Sequence, residues 1–259
     1  MTKLFEITSL KSVIITKIFE ILNSYLYEAN FFINKDFLKI SVKDLSEETA
    51  TFIRLDSKNF ELFKCNEETI VGINIKLLYK VIKSINKKDT ITFYMEKDKL
   101  DVLHIMIVDS FGKTKHCRIP TLDLGKNILE IEQIDMEYQI NIPSIDFQNI
   151  IKDINIVNGS FIEITSLSKQ LIFECDDGNA KIKTIINEPD NIENNFTKFE
   201  KYSSEIVQGK FKLSNLLVFA KSYKLCDNMN ILLSNNKPLI LEYFVADLGI
   251  MRFICSPMI

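Results

Sequence analysis

Residues 72–83 read GINIKLLYKVIK, and this stretch decides how the rest of the sequence is interpreted. In a helix, with about 100° between successive residues, four lysines fall in one narrow stripe: Lys76, Lys80, Lys83 and Lys87. The opposite side is apolar and consists of Leu78, Val81, Ile82 and Ile85. We therefore predict a helix over about residues 74–86 that buries one face and presents a row of cations, with no carboxylate among them, on the other. An ordinary solvated helix also exposes lysines, so this pattern alone leaves both interpretations open.

A faint repeat of this stretch lies at residues 209–221, which read GKFKLSNLLVFAK. In both stretches an apolar residue, Ile75 or Leu213, is followed three positions later by Leu and eight positions later by Lys. An alternating, strand-like segment then follows each stretch, from Thr90 in the first case and from Met229 in the second. The sequence around the lysine helix therefore occurs twice in related form.

A second set of matches lies upstream of these two stretches. Three apolar positions recur at a constant offset: Ile7, Ile14 and Ile18 match Ile140, Phe147 and Ile151. We predict two similar halves, residues 1–122 and 138–259, joined by an extended connector at 123–137. Further helices are predicted at about 11–24, 144–155 and 213–223. Repeats this faint also arise by chance, so the residues alone leave the duplication open.

Most of the remaining segments alternate between apolar and polar residues, as half-buried strands do. Examples are FIEITS from Phe161 and LILEYFV from Leu239. Many short strands with few helices predict an α+β fold built on antiparallel sheet.

Composition limits the classes of function. The chain has 259 residues, 46% of them hydrophobic, so it can bury a sizeable core. The chain has only 7 Gly and 5 Pro, and this composition argues against glycine-rich phosphate loops and flexible linkers. The net charge is -3, so a nucleic-acid surface requires that lysines be sorted onto one face and carboxylates onto others.

Sequence motifs for catalysis, cofactors and metals are absent. There is no GxxxxGK[ST], HExxH or GxSxG, and the 5 cysteines form no CxxC pair. The two histidines, His104 and His116, lie in strand-like segments and make no metal motif. We therefore expect a protein that is not an enzyme and that uses no cofactor or metal. The sequence also has no signal-peptide pattern and no uncharged run of about 18 residues, which predicts a soluble intracellular protein.

The last part of the chain carries a more specific pattern. Residues 238–257 read PLILEYFVADLGIMRFICSP: a proline, an apolar strand with Glu-Tyr, a turn with Ala-Asp and Gly, and a final strand ending near a proline. This closely resembles the C-terminal segment of eukaryotic-type DNA sliding clamps, the proliferating cell nuclear antigen family. Shorter matches occur at Phe60–Cys65 with Val71–Ile75, at Leu122–Leu124 and at Tyr27–Ala29. The resemblance runs nearly end to end.

The resemblance implies a fold and a function. Two similar clamp domains per chain would place antiparallel sheets outside and four helices along the interior of a ring. Three subunits would close head to tail around duplex DNA, as a processivity factor for DNA polymerase and a docking platform in replication and repair. The lysines of the family's inner face match Lys17, Lys80, Lys83, Lys113, Lys152 and Lys221 here, and Lys76 extends the row.

The resemblance also implies two protein-binding surfaces. A subunit contact would join two edge strands at Lys113, Lys115, Cys117 and Ile119 and at Lys181, Ile182, Thr184 and Ile186. An apolar pocket for a short partner motif would be formed by Leu129, Ile131, Pro238, Ile254, Ser256 and Pro257. Rim positions that are apolar or His in the family fall here on Lys43, Glu47 and Glu48, which puts the motif preference in doubt.

The expected partners are double-stranded DNA, bound without sequence preference, two further copies of the chain, a DNA polymerase, an ATP-driven clamp loader and proteins with the PIP motif. No membrane or small-molecule substrate is expected. The expected location is the nucleus, or a viral replication compartment if a virus encodes the chain. The alternative is a clamp-fold adaptor, such as a transcription or checkpoint subunit that forms no self-closing trimer, and the inner-face lysines favour the first interpretation.

Overall fold

The computed structural model describes residues 2–44, 46–125, 136–188, 197–201, 203 and 205–258. Over these residues the chain forms eighteen strands and four α-helices, with three short 3-10 segments. Each half runs in the same order: one strand, a helix, five strands, a second helix and three strands. This order confirms the predicted α+β class and the prediction of two similar halves.

The first half contains helices α1 (Ser12–Leu22) and α2 (Ile75–Ile82). Its strands are β1 (Lys3–Ser9), β2 (Glu28–Ile33), β3 (Phe37–Lys43), β4 (Thr49–Asp56), β5 (Leu62–Cys65), β6 (Thr69–Asn74), β7 (Thr90–Glu96), β8 (Lys99–Val108) and β9 (Thr114–Leu122).

The second half contains helices α3 (Ser144–Ile154) and α4 (Leu213–Phe219), and α4 continues as a 3-10 segment over Ala220–Lys224. Its strands are β10 (Tyr138–Pro143), β11 (Phe161–Leu167), β12 (Gln170–Asp176), β13 (Lys181–Asn187), β14 (Lys198–Lys201), β15 (Val207–Lys212), β16 (Asn228–Leu233), β17 (Leu239–Val245) and β18 (Gly249–Cys255).

The chain divides into two compact units. The first consists of Met1–Val42, Phe52–Glu130 and Val245–Ile250, and the second of Lys43–Thr51, Ile131–Phe244 and Met251–Ile259. A short segment from each half of the chain thus belongs to the other half's unit. The predicted connector at 123–137 falls mostly outside the described residues.

In the first unit the strand order is β4-β3-β2-β6-β9-β8-β7-β1-β5. Strand β9 is shared, because most of its length pairs with β8 whereas Thr121 and Leu122 pair with β6. The close approach requires a glycine at position 72, since a Cβ there would lie 2.2 Å from the Leu122 carbonyl oxygen. Helices α1 and α2 contact each other, and α1 buries Ile15, Ile18 and Leu22.

In the second unit the corresponding strands form two separate sheets, β14-β10-β16-β17-β18 and β13-β12-β11-β15. Helix α3 packs against α4 and its 3-10 extension, and it buries Phe147, Ile151 and Ile154 completely. Strands β12 and β13 pair as neighbours on either side of the turn at 177–180, which contains the Asp-Gly sequence at 177–178.

Helix α2 is shorter than predicted, ending at Ile82 rather than near residue 86. The chain turns there because the following loop forms its own hydrogen bonds. Asp89, which is 5% exposed, accepts from the backbone N–H of Asn86 at 2.8 Å through its carboxylate. Ser12 at the start of α1 donates its hydroxyl to the Asp89 carbonyl at 2.6 Å. Lys83 therefore lies at the C-cap, and Lys87 lies in the loop rather than on the helix.

The same junction exists in the second half, at the start of α3. There the backbone N–H of Ser144 donates to the carbonyl of Asp227 at 2.8 Å. Asp227 precedes β16 as Asp89 precedes β7, so in both halves a serine at the start of the helix donates to the carbonyl of the aspartate before the strand, through the hydroxyl of Ser12 and through the backbone N–H of Ser144. Within the described ranges, no helix is long and apolar enough to cross a membrane.

Candidate nucleic-acid interface and partner surfaces

Helix α2 presents the clearest cationic surface. Ile75, Leu78 and Ile82 are completely buried, whereas Lys76, Lys80 and Lys83 are exposed. The Asn74 side chain caps the helix by accepting from the Leu77 N–H at 2.8 Å, so the first turn is fixed. None of Lys76, Lys80, Lys83 and Lys87 forms an ion pair with the described residues. Their full charge is available to an external anion.

The other predicted DNA-facing lysines occupy less uniform surfaces. Lys152 is exposed on α3, but Asp146 and Asp153 are exposed on the same helix, so its polar face is mixed. Lys221 is exposed in the 3-10 extension of α4. Lys17 on α1 is half-buried. The strongest single-sign surface among the described helices is therefore that of α2.

Lys113 lies apart from the helices, immediately before β9. It is exposed, and its backbone N–H donates to the Asp109 carboxylate at 2.9 Å. It therefore belongs to the turn between β8 and β9, and its position by itself does not group it with the helical lysines.

The two predicted contact strands both present free edges. Strand β13 pairs with β12 alone, so its outer edge has no strand partner among the described residues. Strand β9 pairs with β8 from Thr114 to Pro120, and along that length its other edge is likewise free of described strands. The side chains of Lys115 and Arg118 on β9 are exposed, as is Lys113 just before the strand, and Cys117 is half-buried. Unpaired backbone N–H and C=O groups on such an edge can hydrogen-bond a strand from another chain.

The residues along β13 alternate as an edge strand should. Lys181, Lys183 and Ile185 are exposed, whereas the predicted contact residues between them, Ile182, Thr184 and Ile186, are half-buried. The two lysines are held by the neighbouring strand, because both form ion pairs with Glu174 of β12. The β13 edge is thus closer to neutral than the β9 edge.

The predicted partner pocket is only partly within the described chain. Leu129 and Ile131 lie outside the described residues. Ile254 and Pro238 are half-buried, and Ser256 is exposed. Pro257 lines an open groove of about 580 Å³ together with Met258, Lys210 and Glu163.

Two residues of this surface were missed in the sequence. Ile240 and Leu232 are paired across β17 and β16, on the sheet face that also carries Glu242. Ile254 shares that face, because it alternates with the buried Phe253 and Cys255 and lies beside Arg252, which hydrogen-bonds Glu242. The alternation of β16 and β17 could have placed them, but Leu232 and Ile240 each follow and precede apolar residues, so they do not stand out as outward residues.

The polar rim of this surface is built around Glu48. Its carboxylate pairs with Lys212 at 3.1 Å, and its carbonyl accepts from the Ser256 N–H at 2.9 Å. Glu47 pairs with Lys43 at 3.7 Å. The charged residues that depart from the family pattern therefore neutralise one another in part.

Four of the five cysteines are poorly suited to act as nucleophiles. Burial raises the pKa of Cys255 to about 11, with Asn215 opposing the shift through a hydrogen bond. Burial also raises the pKa values of Cys65, Cys175 and Cys226, so these thiols stay protonated at neutral pH. Among the described residues, no group of three or more His, Cys, Asp or Glu side chains is arranged to hold a metal ion.

Comparison with protein families gives two matches that together span almost the whole chain. The family model described as "Proliferating cell nuclear antigen, N-terminal domain" matches residues 4–138. The one described as "Proliferating cell nuclear antigen, C-terminal domain" matches residues 130–258.

Individual relatives come from viruses and from a fungus. A "Probable DNA polymerase sliding clamp" of Acanthamoeba polyphaga mimivirus is 30% identical over 224 residues, which are 84% of this chain and 47% of that protein. The chain thus spans about half the length of this relative. The "Probable DNA polymerase sliding clamp 1" of Paramecium bursaria Chlorella virus 1 is 26% identical, covering 99% of this chain and 97% of the relative. The "Proliferating cell nuclear antigen" of Chaetomium thermophilum is 25% identical, covering 95% of each.

Proposed function

This chain belongs to the proliferating cell nuclear antigen family, and on that premise we propose that three copies of it close into a ring around duplex DNA. The function is that of a DNA sliding clamp, as the names of its relatives indicate. The mechanism is topological: a closed ring does not leave the duplex sideways, and weak contacts let it move along. The chain works without catalysis of its own, as a tether for a DNA polymerase.

The observation that carries this proposal is the unpaired lysine row of α2. Lysines contact phosphates as point charges and carry no information about base sequence. Each phosphate contact releases counterions, so the affinity falls with rising salt. Lys76, Lys80 and Lys83 supply such contacts, and Lys152 and Lys221 add to them from the second half. Sequence-independent contacts of this kind allow sliding.

The free edges of β9 and β13 support ring closure. A head-to-tail contact between two different surfaces closes only when the rotation between copies closes. We propose that Cys117 and its neighbours on β9 pair with Thr184 and its neighbours on β13 of the next copy. Such pairing would extend the sheet across the contact and satisfy both edges.

The outward apolar surface of the second unit is the proposed docking site for a polymerase and for proteins with the PIP motif. The half-buried Leu232 and Ile254 form its apolar part together with Ile240, of which only 7% is exposed, and Pro238, Ser256 and Pro257 extend it. Because the chain carries no nucleotide-binding motif, a separate ATP-driven loader would open the ring. The proposed location is the nucleus or a viral replication compartment.

The first test is the mass of the protein in solution. Analytical ultracentrifugation at micromolar concentration should give three times the chain mass of 30.0 kDa. A chain that stays monomeric throughout would contradict the ring and favour the adaptor alternative.

The second test addresses DNA. Reversing two charges of the row, with Lys80→Glu and Lys83→Glu together, should shorten processive synthesis by a polymerase and weaken retention on DNA by about tenfold, because the contacts are electrostatic. The matched control is Lys35→Glu with Lys58→Glu, which reverses two exposed lysines elsewhere in the same unit. Product lengths that do not differ between the two pairs would remove the DNA role from α2.

A further inference from the structure

Phe111 is the most exposed large apolar side chain in the described part of the molecule, at 94%. It lies at the tip of the turn between β8 and β9. A single exposed apolar side chain does not by itself mark an interaction surface, but aromatic residues dominate the energetics of protein contacts where they take part in them. The surroundings of Phe111 and of the other free edge therefore decide whether it takes part in one.

The turn that carries Phe111 is well fixed. The Asp109 carboxylate accepts from the backbone N–H groups of Phe111 and Lys113, both at 2.9 Å. The backbone N–H of Asp109 donates to the Lys113 carbonyl at 3.0 Å, and Gly112 donates to the Asp109 carbonyl at 3.0 Å. Gly112 has φ 81°, which favours glycine. The aromatic ring is thus presented by a turn that is already ordered, so little conformational entropy is lost when it docks.

An exposed aliphatic patch lies at the end of the other free edge strand. Ile185 of β13 is 48% exposed and Leu167 of β11 is 37% exposed. Ile185 is paired with Ile172 of β12, and Leu167 with Gln170 two residues earlier on the same strand, so the three apolar side chains share one face. The opposite face carries the completely buried Phe173. The patch of Leu167, Ile172 and Ile185 therefore faces away from the core, at the end of β13.

Antiparallel pairing of the two free edges would bring these features together. In that arrangement the beginning of β9, next to Phe111, lies beside the end of β13, where the aliphatic patch is. The other end of β9 then lies beside the turn that precedes β13. Arg118 is exposed at the middle of β9, so the direction of pairing rests on the apolar features alone.

We propose that Phe111 anchors the contact between copies of this chain, packing on the patch of Leu167, Ile172 and Ile185 of the next subunit. The proposal rests on the proposed ring and names one of its contact residues. The partner is a second copy of the chain, because the aromatic side chain lies beside one free strand edge and the aliphatic patch beside the other. Neither β9 nor β13 has a strand partner on that edge within the described chain. Phe111 stabilises the closed ring.

The experiment measures the dissociation of the ring by ultracentrifugation over a range of protein concentrations. Phe111→Ser should raise the concentration of half-dissociation by about tenfold or more, as loss of an aromatic anchor does. Ile185→Ser should have a comparable effect, and the double variant should lose no more than the stronger single variant, because both remove the same contact. The control is Leu100→Ser, another exposed apolar residue of the first unit, at 59%.

The outcomes separate this inference from the function on which it rests. If the unmodified chain forms rings and Phe111→Ser dissociates no sooner than Leu100→Ser, the anchor is wrong and the clamp stands. Additive losses in the double variant would mean that the two residues do not touch, which also overturns the contact. If the unmodified chain is monomeric at every concentration, the ring and the anchor fail together. Because Phe111 is in solvent in the single chain, its variant should keep the far-UV circular dichroism spectrum of the unmodified chain, which checks that it folds.

Discussion

The two units use the same sheet of five strands but distribute polarity across its outward face in opposite ways. In the first unit one cross-strand row is ionisable and consists of Glu6, Tyr94, His104 and Arg118. The equivalent row of the second unit is Gln139, Leu232 and Ile240. In the next row the second unit is the more polar of the two. Its residues are Asn141, Asn230 and Glu242, and those of the first unit are Thr8, Thr92 and Met106.

This difference bears on the proposed docking site. The row of the second unit is apolar, with Leu232 half-buried and Ile240 7% exposed, whereas the same row of the first unit is covered by a stack. Tyr94 lies on His104 with ring centroids 4.7 Å apart, and Lys3 lies over Tyr94 at 4.6 Å. A duplicated framework thus keeps one face closed and leaves the other apolar, without any change in strand order.

The largest effect should come from breaking the polar row of the second unit. Glu242, which is 8% exposed, accepts from Asn230 at 3.1 Å and from Arg252 at 2.6 Å. Glu242→Ala leaves the buried Asn230 without this acceptor, and we expect a loss of about 2–4 kcal/mol in the free energy of unfolding. Hydrogen exchange of peptides from β16 and β17 measures it.

The control for this prediction is the same row of the first unit. Thr92→Val removes one hydroxyl that hydrogen-bonds Thr8 at 2.9 Å, and it should cost only about 1 kcal/mol. Equal losses for the two variants would show that the rows do not differ in the way described.

A smaller effect should distinguish the N-caps of α2 and α4. Asn74 caps α2 through its side chain, whereas its counterpart Lys212 makes no cap for α4. Asn74→Ala should destabilise the first unit by about 1 kcal/mol. Lys212→Ala loses a surface ion pair with Glu48 and should cost about 0.5 kcal/mol or less. Urea unfolding followed by circular dichroism compares them, and a costlier Lys212 variant would contradict the assignment of the cap.

The smallest effect concerns pH and belongs to the first unit alone. Burial lowers the pKa of His104; Glu96 opposes the shift, and Arg118 and Lys99 add to it. The unfolded chain therefore binds the proton more readily, so stability is lost as the pH falls below the ordinary histidine value of about 6.5.

His104→Phe keeps a ring for Tyr94 to stack on and removes the titration. Thermal melting between pH 7.5 and 5.5 should show a smaller loss for this variant than for the unmodified chain. His116→Gln, which changes an exposed histidine, should leave the loss as it was. A variant at position 104 with the original pH dependence would show that His104 does not cause it.

Much of the fold was predictable because apolar periodicity reports burial directly. The helix around Leu78 and Ile82 and the third helix around Phe147 and Ile151 were located correctly, since their buried faces are continuous. The predicted end of α2, near residue 86, lies beyond the observed end at Ile82. The sequence pattern does not show that Asp89 and Ser12 close the following loop through hydrogen bonds, one of them between residues far apart in the chain.

Some residues of the candidate sites could be predicted from the sequence and others could not. The exposure of the α2 lysines follows from the helix pattern, whereas the outward position of Ile240 does not, because the residues before and after it are equally apolar. Phe111 was also missed, since a single aromatic in a turn has no periodicity. The DNA-facing, contact and pocket roles stay predictions.

Strand β9, which is shared between the two sheets of the first unit at Gly72, has a mechanical consequence. Load applied to its free edge passes through backbone hydrogen bonds into both sheets. The sheet that carries β13 has no such strand link to its neighbour within the described part of the second unit. The β13 side should therefore be the more compliant, and a ring under tension should yield there first.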